Sequence, residues 1–533
     1  MTLNIPVIRK LREIVGPERV LTDPEDLYVY SFEKIFEDAK HSDFDAVVKA
    51  TSTDEIAKIE KLAETEGFTI LRRGENAVHD PQKTKRSATV ILDTLPHPEL
   101  TAFDKKLGEK FQQFRERRQK LMDAMLRERS YKGLASVIGS LFQDKIIQQC
   151  RDCEACTGYC TVSPIFNHVE TYSSKGRYLL TRGLMTEEIK PSKRLADILY
   201  SCTLCGLCYF QCTSNLHLYE VILEARRRMI EKGLAPESGK ATLKNIIEHG
   251  NPIGASKKLR ARWMERVPKD SLREKADVLY WAGCNTVLRS GVRPTAKSTV
   301  NVLNAAGVGV MTLGDREGCC GFSLVAEGFF EEAKRNAERI ILVVDEAGVE
   351  TLVTSCSGCY ETFVDFYPNK LGVEMPCQVL HSSQLMAHLV KNGDLALNKL
   401  PMRVSYHDSC GLGRHCGVYE PPRKLLKAIP DLQLIEPKMS REHSRCCGGG
   451  GGFWSVNSRA SMSLAHLRIE EDIMPLKVKA LAVTCPLCYT NFLYTVRRHT
   501  INIKVYDLME IVEMALRGER KFDQPWDKRS SLE

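Results

Sequence analysis

The sequence predicts a multidomain protein in which small α/β domains flank a mainly helical segment rich in cysteine. Its 533 residues are enough for three or four domains, and 43% of them are hydrophobic, which supports well-formed cores. One cysteine pattern occurs twice in the second half of the chain, which indicates a duplicated domain. Within each copy, apolar strand-like segments alternate with helix-like segments, and this alternation is typical of a mostly parallel sheet covered by helices.

The composition argues against several function classes. Lys and Arg together exceed Asp and Glu by eight. Basic runs such as Arg115–Lys120 and Glu224–Lys232 are interpreted as solvated helix faces, so we expect no nucleic-acid partner. The first residues lack the apolar core of a signal peptide, and the apolar runs are too short to span a membrane. We therefore expect a cytoplasmic protein whose twenty cysteines are reduced, with the clustered ones binding metal.

Local patterns divide the chain into six parts. Residues 1–100 combine amphipathic helix signals (Ile5–Gly16, Thr53–Gly67) with strand-like segments, and residues 101–148 have the period of a helical connector. A mostly α-helical domain with two cysteine quartets follows, and then the two copies of the repeat. The bounds of these remaining parts are 149–250 for the quartet domain, 276–395 and 402–517 for the repeats, and 518–533 for a tail.

The two quartets share the spacing C-x2-C-x2-C-x3-C. They comprise Cys150, Cys153, Cys156 and Cys160, and then Cys202, Cys205, Cys208 and Cys212. In two-cluster ferredoxins this spacing lets three neighbouring thiolates bind one cubane while the fourth binds the other cubane. By that rule, one [4Fe-4S] cubane is bound by Cys150, Cys153, Cys156 and Cys212, and the other by Cys202, Cys205, Cys208 and Cys160. Zinc is the alternative, although a tetrahedral zinc site often takes two separated cysteine pairs.

Each copy of the repeat contains five cysteines in the same order. They are Cys284, Cys319, Cys320, Cys356 and Cys359 in the first copy, and Cys410, Cys446, Cys447, Cys485 and Cys488 in the second. Most follow strand signals, so they should converge at the carboxyl ends of the strands. The glycines Gly448–Gly452 would leave space beside a metal and free N–H groups to meet sulfur.

Four further residues near these patterns are singled out. Cys377 and Cys416 match no ligand position. Trp454 is expected in the core, and His407 is open between hydrogen bonding to a metal site and a structural hydrogen bond.

The five-cysteine pattern resembles the cysteine-rich domain pair of heterodisulfide reductases. Ser173–Met185 and Tyr406–Arg414 add to the likeness, which covers about residues 145 to 517, the extent of that family's catalytic iron–sulfur subunit. The resemblance implies that each set of five cysteines binds a non-cubane [4Fe-4S] cluster made of two fused [2Fe-2S] units. It also implies an oxidoreductase, or an electron-transfer subunit of one, in a hetero-oligomeric complex with a flavin-containing partner.

The segment Gly16–Glu33 resembles the start of the FAD domain of glycolate and lactate oxidases. In that family Arg-Gly is followed by further glycines, whereas here Arg73-Gly74 is followed by Glu75 and Asn76. An acidic side chain facing a phosphate would be unfavourable. We therefore expect a truncated remnant that serves docking or structure and does not bind FAD.

Three functions remain open at this point. The first is a subunit that passes electrons between a flavin-containing partner and a disulfide, a quinone or a partner's redox centre. The second is a pure electron relay without a small-molecule substrate, in a complex such as a class II benzoyl-CoA reductase or an acyl-CoA dehydrogenase-linked system. The third is a zinc-stabilised scaffold. No catalytic residue can be named from the sequence.

Overall fold

The computed structural model describes residues 3, 5–31, 44–72, 88–93, 153, 155–212 and 216–518. The predicted connector 101–148, Cys150, the Arg73–Asn76 segment and nearly all of the predicted tail lie outside the described residues. The chain divides into two compact units, Met1–Ile198 with Gln211–Val221 and Leu199–Phe210 with Ile222–Glu533. The domain bounds derived from the sequence stay predictions.

An N-terminal α/β module lies in the first unit. Its helices are α1 (Ile5–Val15), α2 (Pro24–Tyr30) and α3 (Thr53–Glu66), and its strands are β1 (Val20–Leu21), β2 (Ala46–Lys49), β3 (Thr69–Arg72) and β4 (Thr89–Asp93). The sheet order is β1-β2-β4-β3, with only β1 antiparallel to its neighbour. Helix α3 begins where the Ser52 side chain accepts a hydrogen bond from the Glu55 N–H, and it ends at Gly67 with a φ of 73°. The predicted helices and strands of this module are confirmed.

Helix α2 packs this module against the helical part of the first unit. That part contains α4 (Ser174–Met185) and the start of α5 (Lys193–Tyr200). The Asp26 carboxylate is fully buried and accepts hydrogen bonds from Thr171 Oγ1 at 2.5 Å and from the Arg194 guanidinium. The Lys49 ammonium also donates to the His168 carbonyl at 2.9 Å. The module is therefore fixed within its unit by buried polar contacts.

Replacing Asp26 with alanine is expected to loosen this attachment. Because Thr171 and Arg194 lose a buried acceptor, the free energy of unfolding of the first unit should fall by about 1–3 kcal/mol. Limited proteolysis and thermal unfolding would measure the loss. Lys58→Ala, which breaks a mostly exposed pair with Asp54, is the control and should change stability by less than about 0.5 kcal/mol. An equal effect of the two variants would contradict the role of Asp26 in attaching the module.

Four further helices precede the repeats. They are α6 (Leu207–Gln211), α7 (Leu218–Glu231), α8 (Glu237–His249) and α9 (Lys257–Ala261). One sequence interpretation is wrong here, because the basic run on α7 is not a uniformly solvated face. Arg227 and Arg228 do contact Glu224 at the surface, but Arg226 is fully buried. All three arginines are helical, yet only two of them face solvent.

The two copies of the repeat have the same architecture. Repeat 1 contains β5 (Val278–Trp281), α10 (Cys284–Leu288), α11 (Pro294–Ala305), β6 (Val310–Met311), α12 (Phe322–Glu327), α13 (Phe330–Ala347), β7 (Thr351–Thr354), α14 (Ser357–Glu361), β8 (Gln378–His381) and α15 (Ser382–Asn392). Repeat 2 contains β9 (Arg403–Tyr406), α16 (Glu420–Ala428), β10 (Gln433–Leu434), α17 (Phe453–Val456), α18 (Ser458–Arg468), β11 (Ala480–Val483), α19 (Pro486–Arg498), β12 (Lys504–Asp507) and α20 (Leu508–Arg517).

Each repeat forms a four-stranded, wholly parallel sheet. The orders β6-β5-β7-β8 and β10-β9-β11-β12 are the same topology. The last helix of each begins with a capping box, formed by His381 and Gln384 on α15 and by Asp507 and Glu510 on α20. The predicted alternation of strand and helix is confirmed, and the chain is multidomain, with a helical region and α/β domains.

The two repeats share one hydrophobic core. Tyr280 of β5 and Tyr406 of β9 belong to it, and helix α11 packs on α20 there. The opposite face of each sheet has its own core, with Trp281 in repeat 1 and Val483 in repeat 2. The repeats are therefore fused by apolar packing as well as by sequence. Within the described ranges, no helix is both long and apolar enough to cross a bilayer.

Candidate functional site

The five thiols of repeat 1 meet at the carboxyl ends of its strands. Cys284 begins α10 just after β5, and its Sγ lies 4.0 Å from that of Cys319. The Cys320 side chain hydrogen-bonds with those of Cys319 and Cys359, and Cys359 does so with Cys356. All five side chains are buried. The structure thus brings together the set predicted from the sequence.

Local backbone contacts fix these thiols. The Cys356 Sγ accepts a hydrogen bond from the Cys359 N–H at 3.4 Å, which starts α14. Gly283 has a φ of 80°, and a Cβ there would lie 3.2 Å from the Cys359 Sγ. The buried Glu317 carboxylate accepts hydrogen bonds from the N–H of Gly283 at 2.8 Å and from Arg260 at 2.9 Å. The loop that leads into Cys284 is therefore held by a compensated ion pair.

The five thiols of repeat 2 form an equivalent cluster. The Sγ atoms of Cys447 and Cys488 are 3.1 Å apart, and the Cys446 side chain hydrogen-bonds with Cys410 and Cys447. Cys485 hydrogen-bonds with Cys488. Four of these thiols are buried, and Cys410 is half-buried. Hydrogen bonds from Cys446 and Cys488 lower the pKa of Cys447 to about 5, so this position favours a thiolate, the form that binds metal.

Backbone N–H groups point at sulfur in both repeats. The N–H groups of Gly448 and Gly449 lie 3.3 Å from the Sγ atoms of Cys446 and Cys447, and that of Gly321 lies 3.5 Å from Cys319. Buried thiols that already accept N–H groups match the environment of iron–sulfur clusters, whose potentials depend on such hydrogen bonds. The residues present therefore fit the binding of iron–sulfur clusters.

The two five-cysteine sets touch each other. Cys356 of repeat 1 and Cys485 of repeat 2 are in side-chain hydrogen-bonding contact. The Thr484 carbonyl accepts from the Ser357 hydroxyl at 2.6 Å and lies 3.2 Å from His381 Nε2. The residue before each of these cysteines is also held by a buried tyrosine hydroxyl of the same repeat, from Tyr280 or Tyr406. Symmetry of the fold thus places the two sets side by side.

The part of the second quartet that belongs to the second unit lies against repeat 2. The Cys205 side chain hydrogen-bonds with that of Cys446. A Cβ on Gly451 would lie only 2.4 Å from the Thr203 carbonyl oxygen, so a glycine is needed for the close approach of the two loops. The buried Arg226 donates to the carbonyls of Cys202 at 2.6 Å and Gly451 at 2.7 Å, which links the same two loops.

The described cysteines of the two quartets are divided unequally between the two units. Cys153, Cys156, Cys160 and Cys212 lie in the first unit, whereas Cys202, Cys205 and Cys208 lie in the second. Within the first unit, the Cys160 Sγ lies 3.8 Å from Arg177 Nη1, and the Cys212 Sγ accepts from the Leu216 N–H at 3.3 Å. The exchange of the fourth cysteines between cubanes stays a prediction, and Cys150 lies outside the described residues.

Glu327 is a buried carboxyl beside Arg226 that the sequence did not indicate. It is 2% exposed, and its Oε2 has no hydrogen-bond partner among the described residues. Burial raises its pKa to about 8, against the smaller opposing effect of Arg226. The folded state therefore binds the Glu327 proton more tightly than the unfolded state does.

This shift predicts how stability depends on pH. The contribution of protonated Glu327 is complete below about pH 4.5 and is lost as the pH rises towards 8, at up to about 1.4 kcal/mol per pH unit. Glu327→Gln stays neutral, so its stability should fall less than that of the wild type between pH 5 and 8. Thermal unfolding across this range would test it, with the exposed Glu338→Gln as control. Identical profiles for wild type and Glu327→Gln would refute the assignment.

The expectations for two aromatic residues of repeat 2, His407 and Trp454, have different outcomes. His407 is buried, its Nδ1 has no described partner, and a ring nitrogen lies within 4.8 Å of the sulfurs of Cys447 and Cys488. This placement favours donation towards the thiol site. The core position expected for Trp454 is wrong, because Trp454 is partly exposed and stacks on Tyr494, while Phe453 is the buried residue. The glycine run turns the chain so that Phe453 faces inward.

Comparison with known proteins agrees with this geometry. The cysteine-rich domain family matches residues 278–363 and 404–493, and the 4Fe-4S dicluster domain family matches residues 111–216. A subunit of the dihydromethanophenazine:CoB–CoM heterodisulfide reductase of Methanosarcina acetivorans is 28% identical over 390 residues, which cover 69% of this chain and 94% of the relative. The "Probable iron-sulfur-binding oxidoreductase FadF" of Bacillus subtilis is 30% identical over 336 residues, or 60% of this chain and 47% of the relative.

A further relative is named EtfAB:quinone oxidoreductase, from Syntrophomonas wolfei. It is 28% identical over 364 residues, which cover 63% of this chain and 50% of the relative. These matches bear out the resemblance found in the sequence and its implication of an oxidoreductase or an electron-transfer subunit of one. The chain therefore joins a match to the 4Fe-4S dicluster domain family with two matches to the cysteine-rich domain family, and it is similar to the heterodisulfide reductase subunit and to related iron–sulfur oxidoreductases.

Proposed function

We propose that the chain passes electrons between a flavin-containing partner and a disulfide, a quinone or a partner's redox centre. When bound, two cubane and two non-cubane [4Fe-4S] clusters would supply the one-electron carriers. The observation that carries the proposal is the contact between Cys205 of the second quartet and Cys446 of repeat 2. Because Cys356 also touches Cys485, thiols from three proposed clusters form a connected series of contacts in the second unit.

The ligand assignment is part of this proposal. One cubane would be bound by Cys150, Cys153, Cys156 and Cys212, and the other by Cys202, Cys205, Cys208 and Cys160. The non-cubane clusters would be bound by Cys284, Cys319, Cys320, Cys356 and Cys359, and by Cys410, Cys446, Cys447, Cys485 and Cys488. The convergence of each set of five, together with the N–H groups directed at sulfur, supports the second pair of assignments.

A pure relay is the second candidate function. The names of the relatives favour a complex, because one relative is part of a multi-subunit reductase and another is an EtfAB:quinone oxidoreductase. In such a complex the chain would exchange electrons only with protein-bound centres, at a cytoplasmic location. The zinc-scaffold alternative is not supported, since the 4Fe-4S dicluster domain family matches the chain and one relative is named an iron-sulfur-binding oxidoreductase.

Anoxic purification of the full chain with its partners tests the proposal. We expect a brown protein with about sixteen iron atoms and as many acid-labile sulfides per chain, since four clusters of four are proposed. Turnover with a panel of disulfides and quinones separates the first function from the relay. A colourless, zinc-containing protein would overturn both.

A further inference from the structure

The side chain of Arg414 lies between the second quartet and the thiols of repeat 2. A π-helical turn, Gly411–His415, begins directly after Cys410 and carries this arginine inward. Its Nε donates to the Cys205 carbonyl at 2.6 Å, and its Nη1 donates to the carbonyls of Glu442 and Ser444. Only 8% of Arg414 is exposed. One guanidinium therefore joins a quartet cysteine to the loop before Cys446.

The charge of Arg414 is not matched by a carboxylate bond. The buried Arg226 donates to carbonyls and lies beside the Glu327 carboxyl, and Arg260, Arg423 and Arg468 each bond a carboxylate. By contrast, Arg414 bonds only carbonyls, and its buried Nη2 has no partner among the residues that the structure describes. The ionisable groups that act on it most strongly are the thiols of Cys205, Cys410 and Cys446 and the phenol of Tyr419. An arginine whose charge no carboxylate bond matches thus interacts electrostatically with the thiols of Cys205, Cys410 and Cys446, and one of its donors has no partner among the described residues.

Repeat 1 has no equivalent feature among its described residues. There Cys284 is followed by an ordinary α-helical turn, α10, and the nearby Arg260 is neutralised by Glu317 at 2.9 Å. The two five-thiol sets share a fold and a cysteine order, yet only one of them lies beside an unmatched positive charge. The electrostatic environments of the two sets are therefore different.

We propose that Arg414 is a positioning residue that raises the reduction potentials of the second cubane and of the repeat 2 cluster together. Each reduction adds one electron, supplied by the flavin-containing partner, and makes a cluster more negative, so a buried cation favours it. The free Nη2 is available to donate to cluster sulfur, which acts in the same direction. This inference rests on the proposed function, because it assumes that the two clusters are bound.

Redox titration followed by electron paramagnetic resonance tests the role of the charge. In the anoxically purified full chain, Arg414→Gln should lower both reduction potentials by at least about 59 mV, which is a tenfold fall in the equilibrium constant of a one-electron reduction. The reduction potential of the cubane of the first quartet should not change. Arg414→Lys keeps the charge, so its equilibrium constants for reduction should stay within threefold of the wild-type values. Arg414→Met supplies a second neutral variant should the glutamine variant lose iron.

A control variant and two kinds of contradicting result complete the test of Arg414. Arg423→Gln removes an equally buried arginine that is bound to Asp408, and it should lower stability without shifting the two potentials together. Intact clusters with unchanged potentials in the neutral variants would overturn the role of Arg414 but not the proposed function. A tenfold fall in the equilibrium constants for reduction in Arg414→Lys would do the same. A wild-type chain without these iron signals would overturn both this role and the proposed function.

Discussion

Replacement of Cys447 by serine is expected to remove about four iron atoms from each chain, leaving about twelve of sixteen. Cys447 is 3% exposed, touches Cys446 and Cys488, and has the pKa lowered to about 5 that favours a thiolate. A serine hydroxyl stays protonated at neutral pH and is a poor ligand for iron, which prefers soft thiolate in such clusters. Iron and acid-labile sulfide per chain after anoxic purification are the measurements.

Cys416→Ser is the matched control for that variant. Cys416 is a half-buried thiol of the same repeat that matches no ligand position, so its loss should leave the iron content unchanged. Cys320→Ser in repeat 1 should behave like the Cys447 variant, because Cys320 has the equivalent place in its own set. Full iron content in Cys447→Ser would remove this residue from the ligand set.

The second large effect is expected from Gly451→Ala. A Cβ at this position would lie 2.4 Å from the Thr203 carbonyl oxygen, and the backbone φ of 64° costs an alanine about 1–2 kcal/mol by itself. The clash is with backbone, so the loop of the second quartet must move away from repeat 2. We expect a lower unfolding temperature, a free energy of unfolding reduced by at least about 2 kcal/mol, and weakened retention of the second cubane.

A neighbouring glycine provides the control. Gly450 has no positive φ, and a Cβ there would meet nothing closer than the same Thr203 oxygen at 4.0 Å. Gly450→Ala should therefore keep the iron content and the stability of the wild type. Equal behaviour of the two variants would mean that the run of glycines is only a permissive turn and does not set the distance between the loops.

Much of the fold follows from patterns visible along the chain. The duplicated cysteine order and the strand signals before Cys284 and Cys410 predict two parallel sheets with converging thiols, because hydrophobic periodicity and repetition are local properties. Helices α1 and α3 and strands β2, β3 and β4 of the N-terminal module are predictable for the same reason, whereas α2 and β1 are not predicted. The glycine after each cysteine pair also points correctly to crowding at sulfur.

The buried charges could not be predicted in this way. Arg226 stands in a basic run that is typical of a solvated helix, and Arg414 stands in a glycine-rich turn. Whether such an arginine reaches carbonyl oxygens depends on a second segment far along the chain, and Gly451 is 225 residues from Arg226. Glu327 is hidden for the same reason. The signal that remains is weak: a cation shortly after a metal-ligand pattern, as Arg414 is after Cys410.

The burial of the thiols has a consequence for biogenesis. Nine of the ten cysteines in the two five-cysteine sets are enclosed by the folded chain, and Cys356 and Cys485 touch across the pseudosymmetric junction. Iron has little access to these enclosed thiols once both repeats have folded. Insertion must accompany folding, and a chain that matures without metal would present adjacent thiols ready to oxidise to a covalent bridge between its halves.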